Sequence, residues 1–448
     1  MKEPSPLSGY LDRLEWPAER LAREINRICG PGTTTAKAPY AWLKGACPRG
    51  RIPETVASIL SGQLGEHITA QMLWPSRVRE SLVQLPYLDL DLPWTQRGAW
   101  QAAGLLNDHL TGPSPVRPPV LPGHSLVGPA LDWLTADAEE PSSQQVGGQV
   151  VGPDSVQVLR DRIAQLRRLD DTQGGPLVLE WVAQDLRWAA SLVRNSTYDP
   201  AIGVQLNGIV AELAQLAGWL ACDQGRAGIG QRYFLAGLHF AHSAHDSALG
   251  ANIVSCLSYQ AMWSGDHQDA LRLIRAARTG AGGPRTGRVH ALLATRQARA
   301  HAQLRDDAGC AKALDEAASA YAQDGETPDP SWAYWINDAV LAGDAGRAWL
   351  ELERPDRAEP NLVRGLQLFG DAQPRNRMLH HASLAEACLA LGNLEGAADA
   401  AHGALNLGEQ LMSSRAHARL RTLASGFARI DSPLARGVVD RAKGALAS

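Results

Sequence analysis

The chain has 448 residues, 45% of them hydrophobic, with a formal net charge of −4. That length exceeds one compact core and that composition is ordinary for globular proteins, so at least two folding units are expected and general disorder is excluded. No apolar run approaches the ~18 residues of a membrane span, and the polar, amphipathic start MKEPSPLSGYLDRLEW does not read as a signal peptide. The six cysteines are scattered without a CxxC pair, which points to reduced core thiols and a cytoplasmic protein.

Three regions follow in chain order: 1–80, 81–154 and 155–448. The first is basic. Between Arg20 and Arg51 it holds seven Lys/Arg against the single acid Glu24. A local excess of +6 can meet a polyanion, although such clusters are also common on plain solvated faces. Arg20–Arg27 reads as an amphipathic helix with Leu21, Ile25 and Ile28 on its apolar side. A second short helix is expected over about 36–44 and a third over 53–64, where Pro53 suits a helix start. ITAQMLW (68–74) closes the unit with a buried Trp74.

Residues 94–110 read as one helix. The stretch 111–153 is rich in Pro, Gly, Ser and Gln and is expected to be a mobile linker, in which only the apolar piece Leu126–Leu134 could dock. From 155 onward the pattern is helical throughout and repeats itself. A turn residue is followed five positions later by a small residue and then by alternating apolar and small ones. The turn residues are Gly225, Gly265, Asp306, Glu353 and Gly392, spaced 40, 41, 47 and 39 apart. Small residues let antiparallel helices approach closely, and one such hairpin cannot hide its apolar face alone, so the hairpins should stack into a solenoid.

These hairpins resemble tetratricopeptide repeats, stretched beyond the usual ~34-residue period. More narrowly, LRRLDDTQGG (166–175), AELAQLAGWLACDQGRAGIGQRYFLAGLHFAH (211–242) and ALRLIRAA (270–277) are similar to segments of actinobacterial regulators. Those regulators carry an N-terminal Xre/Cro-like helix-turn-helix and a C-terminal repeat array, and the head segments RLAREINRICGPGT and APYAWLKGACPRGRIPETV resemble theirs. The resemblance implies an all-α chain: a helix-turn-helix-like DNA-binding domain over 1–80, a connecting helix and linker over 81–154, and a tetratricopeptide-like α-solenoid over 155–448.

It also implies a transcriptional regulator that binds DNA through its head, as a homodimer, and senses a peptide, protein or small ligand through its repeats. The 36–44 helix would then enter the major groove. Thr35, Lys37 and Tyr40 would read bases while Lys44, Arg49 and Arg51 clamp phosphates. The turn CGPGTTT is longer than the ~3–4 residues of an ordinary motif, and Pro39 falls inside the reading helix. Those departures keep open a second reading, a scaffold without DNA contact that recruits or sequesters another regulator.

The concave face of a repeat array usually holds its ligand. Trp188, Tyr233, Tyr259, Trp263, Trp332 and Trp335 are candidate groove residues, with Trp181 and Tyr334 in the same set. Most aromatics at helical spacing are core, so a minority should face a ligand. His239, His242 and His245 have a spacing seen in some metal sites, but a helix-end role fits as well, and no metal or cofactor is expected. No phosphate loop, GxSxG, HExxH or kinase set occurs, so no enzyme is expected.

Overall fold

The computed structural model describes residues 6–447 apart from 15, 31, 45, 47, 49–51, 65–67, 69, 75–91, 111–117, 142, 146, 147, 173, 283–286, 324–326, 371, 372 and 410. The described chain is all-α. Its only extended pairing is two isolated bridges, Gln144 with Tyr198 and Val150 with Thr197. The chain divides into two units, Met1–Asp89 and Leu90–Ser448. None of its described helices is long and apolar enough to cross a membrane.

The first unit contains α1 (Pro6–Arg13), α2 (Ala18–Cys29), α3 (Ala38–Leu43), α4 (Ile52–Leu64) and α5 (Ala70–Leu73). Leu7, Leu21, Ile25, Leu60 and Leu73 meet in its core around Trp42 and Trp74. The two indoles stand edge to face at 6.4 Å, and Trp74 Nε1 donates to the Ala46 carbonyl at 3.1 Å. Trp42 is therefore core, and so α3 is anchored by its own middle.

The second unit opens with α6 (Gln96–Leu110), α7 (Gly123–Thr135), α8 (Pro153–Thr172) and α9 (Pro176–Asn195). Five hairpins follow. They are α10 (Pro200–Asp223) with α11 (Ala227–Ser243), α12 (Ser247–Trp263) with α13 (His267–Gly280), and α14 (Gly287–Gln303) with α15 (Asp307–Ala322). After a 3-10 turn at Ser331–Trp335 come α16 (Asp338–Glu351) with α17 (Pro355–Phe369), then α18 (Pro374–Ala390) with α19 (Leu394–Gly408). Two more helices, α20 (Ser414–Phe427) and α21 (Pro433–Ala447), cover the end.

The small residues work as the pattern requires. A Cβ on Gly218 would lie 2.6 Å from the Phe234 ring, and one on Gly346 would lie 2.6 Å from Leu362. Each glycine is the room into which the partner helix's large side chain fits. Left-handed backbone closes the turns at Gly225, Gly265, Glu353 and Gly392. In the third hairpin that residue is Arg305, one position before the expected Asp306. Asp306 instead caps α15, accepting from the Gly309 amide at 2.9 Å. An Asp in a turn signals a cap as readily as a break, which is why the register read one residue late.

Part of the stretch expected to be a mobile linker, from about 119 to 133, is seated on the repeats, whereas most described residues of 135–150 are exposed. Leu126, Ala130 and Trp133 of α7 are buried. Trp133 lies against Gly250 and Gly280, which leave a slot with no side chain of their own. The Pro-rich segment before α7 satisfies buried polar groups: Gln231 exchanges hydrogen bonds with the Leu121 backbone, and Arg232 donates to the Pro119 carbonyl at 2.7 Å. Composition argues for mobility only when a segment has no partner surface, and here the array supplies one.

Candidate functional site

In the head, the connection between α2 and α3 runs from Gly30 to Lys37 and is ordered by its own side chains. Asn26 donates to the Thr34 carbonyl and accepts from the Thr34 amide, both at 2.9 Å. Gly30 and Gly32 take positive φ there. Pro39 lies in the first turn of α3, where its missing N–H costs nothing. The helix is shorter than expected, six residues rather than the nine of 36–44.

Thr35, Lys37, Tyr40 and Lys44 are all exposed. Tyr40 is not free: its hydroxyl donates to Glu19 at 2.5 Å, which holds that carboxyl below its usual range. Among the helix α2 cations, Arg27 pairs with Glu24 at 2.8 Å and Arg20 lies over the Trp16 ring. Arg49 and Arg51 lie outside the described residues.

The array encloses a different site. The first helices of successive hairpins turn one face inward around a cavity of about 990 Å³, counting the part open to solvent. Tyr259 and Trp335 of the expected aromatics line it, as does Tyr334. Trp263 is half-exposed and borders an adjoining cavity with Arg299 and Arg347. Trp188 and Trp181 are exposed and do not line either space, whereas Tyr233 and Trp332 are core.

Arginine dominates the cavity, and the sequence reading named none of these residues. Arg167 of α8, Arg296 and Arg299 of α14, Arg347 of α16, Arg375 of α18 and Arg415 of α20 all contribute. Two of them join elements far apart in the chain. Arg375 binds Asp170 at 2.6 Å, and Arg415 binds Asp223 at 3.0 Å. Tyr334 also donates to Asp171. These contacts bring the last hairpin and the helix after it onto the first elements of the array, so the superhelix closes around the cavity.

The aromatic rings carry part of the charge. Arg296 lies over Tyr259 at 4.3 Å, and Arg415 lies over Trp219 at 4.9 Å. Burial works against ionising the Tyr259 phenol, but Arg347, Arg415, Arg299 and Arg296 together outweigh it and hold the phenol well below its ordinary value. Burial also opposes the Asp344 charge, and His380, Arg347 and Arg299 overcome it, so Asp344 is ionised. Burial lowers His380, against the opposing pull of Asp344. The cavity is therefore an arginine-rich, aromatic-walled space suited to holding an anion.

The histidine run has a packing role. His239 stacks on Trp94 at 4.1 Å, and His242 meets the edge of the same indole at 5.5 Å. Among the described residues no group of three or more His, Cys, Asp or Glu could hold a metal ion.

Residues 7–73 match a family described as the SP15 N-terminal domain. The match covers the head and stops before the array, so it leaves the repeats to be read from their own geometry. No curated protein matches the chain.

Proposed function

We propose that this chain is a ligand-responsive transcriptional regulator. Its repeat array is the effector-binding half, and its head is the half that meets DNA. The observation that carries the reading is the arginine-lined cavity: six guanidinium groups meet at one space, four of them buried, and one of those, Arg296, has no carboxylate partner among the described residues to offset its desolvation cost. Effector cavities, by contrast, are concave, partly aromatic and furnished with a few convergent polar groups.

The DNA-binding half rests on the local basic excess and on exposed Thr35, Lys37 and Lys44 flanking the two ends of α3. The regulator class and the dimeric state come from the family resemblance. The scaffold reading retains one specific support. A six-residue α3 pinned through Trp42 and Tyr40 offers little length to a major groove.

The test is a salt titration of the full-length protein on its own upstream duplex, against a random duplex, with Lys37→Ala/Lys44→Ala beside the wild type. A regulator prefers its own duplex, and the double variant loses affinity and about two units of the log–log salt slope. Equal binding to both duplexes sinks the DNA half and leaves the scaffold.

A further inference from the structure

Five of the six arginines at the cavity have a carboxylate partner. Arg167 pairs with Glu212, Arg299 with Glu351, Arg347 with Asp344, Arg375 with Asp170 and Arg415 with Asp223. Arg296 has none among the described residues. It is 7% exposed, its Nη1 is buried, and no hydrogen bond reaches that atom. Arg167 Nε and Arg375 Nε, on groups equally buried, are likewise without a hydrogen-bond partner.

A buried guanidinium stays protonated, so it cannot relieve the cost by neutralising itself. Its contacts with the Tyr259 and Trp219 faces, at 4.3 and 5.7 Å, stabilise the cation but satisfy no N–H. The Tyr259 hydroxyl is already engaged by Arg415 at 3.3 Å. Tyr259 and Asp344 act on Arg296 through space, yet its buried Nη1 keeps an unused N–H that an anionic acceptor entering the cavity could take. Asn252, Asn376 and Gln373 line the same space beside Trp219 and Trp335, giving neutral polar groups and apolar wall for the rest of a small molecule.

We propose that the cavity is the site of a small organic oxyanion, a carboxylate or a phosphate ester, that docks on the Arg296 guanidinium with Arg167 and Arg375 as flanking donors. Both oxyanions accept the planar fork of a guanidinium. This names the effector class for the array and rests on the array being the ligand-binding half. It does not depend on the head: loss of DNA binding would leave it standing, and loss of anion binding would leave the DNA half standing.

The experiment follows thermal unfolding and calorimetric binding of the full-length protein with inorganic phosphate and, separately, with citrate, each against chloride at equal ionic strength. Wild type should gain a few degrees in Tm with at least one of them, and Arg296→Met should weaken that binding by tenfold or more. Without anion, Arg296→Met should melt no lower than wild type, because the substitution removes a buried charge that has no partner. A response to phosphate alone assigns a phosphate ester, one to citrate alone assigns a carboxylate, and one to both supports the shared oxyanion chemistry. Should Arg296→Met fail to fold, the wild-type Tyr259 phenolate titration decides. A bound anion offsets the arginines, so it moves that ionisation to higher pH. No shift with either anion in wild type, or equal shifts in Arg296→Met, overturns the proposal.

Discussion

Arg375→Ala removes the contact that ties α18 to α8 across 205 residues of sequence. Its guanidinium meets the Asp170 carboxylate at 2.6 Å and also the Asp170 carbonyl, and each side chain is 9% exposed. The substitution leaves Asp170 buried beside Asp171 with its cation gone. One lost charge-assisted hydrogen bond costs about 1.5–3 kcal/mol. Stranding a buried charge raises the loss to about 3–5 kcal/mol. Some water will enter the opened cavity, so we expect the lower end, about 3 kcal/mol.

An array need not unfold in one step, so the readout is native-state hydrogen exchange at amides of α8 and α18 rather than a single melting curve. Both helices should lose protection together. The double variant Asp170→Asn/Arg375→Met should recover part of the loss, with a coupling of about 1–3 kcal/mol. A loss under about 1 kcal/mol, or one confined to a single helix, would refute the closure of the superhelix.

Three further outcomes follow from particular contacts. Trp133→Ala empties the slot against Gly250 and Gly280 and should cost about 3–5 kcal/mol; limited proteolysis should then cut between Leu121 and Thr135, and an unchanged digest would speak against docking. Gly346→Val places a branched side chain where even a Cβ lies 2.6 Å from Leu362 and 2.9 Å from the Ala358 carbonyl. It should lower stability by about 1–3 kcal/mol in urea titration, and a neutral result would contradict the close approach of α16 and α17.

Tyr259, held below its ordinary pKa by arginines, should give the earliest phenolate absorbance, and Arg415→Gln should delay it. Because the folded value is depressed, its stabilising contribution is complete above the unfolded pKa and disappears as pH falls through the folded one. If Tyr259→Phe left the earliest step in place, the assignment would fail.

The hairpins were legible because packing writes itself into sequence. A close helix pair needs Gly or Ala where backbones meet, as at Gly218, Gly346 and Ala397, and those positions recur. The head core was legible for the same reason: Leu21, Ile25 and Trp74 follow helical spacing into one cluster. The docked linker was not, since its partners lie over a hundred residues away and nothing local announces that Gln231 and Arg232 require backbone groups from Pro119 and Leu121.

The cavity was half legible. Tyr259, Trp335 and Tyr334 were among the expected aromatics, but an aromatic at helical spacing does not say which way it faces, and Tyr233 and Trp332 went to the core. Arg and Asn on the first helices are the expected source of polar groove contacts, but which of them face inward depends on the inner face of the array. HALLATRQARAHAQ sets Arg296 and Arg299 among small and apolar residues on a first helix, where a solvated face would instead mix charges of both signs. Their pairing with Tyr259 and Glu351 depends on how neighbouring hairpins stack, which no local window contains.

A ligand-responsive regulator of the kind proposed above couples the array's cavity to the head's use of DNA. The direct measurement is the affinity of the full-length protein for its own upstream duplex, at fixed ionic strength, with and without the anion that occupies the cavity. Arg296→Met serves as the control. Coupling requires differential binding at the cavity, so that affinity should change about fivefold or more in wild type and not at all in Arg296→Met. The same change in both proteins, or none in wild type, would contradict it.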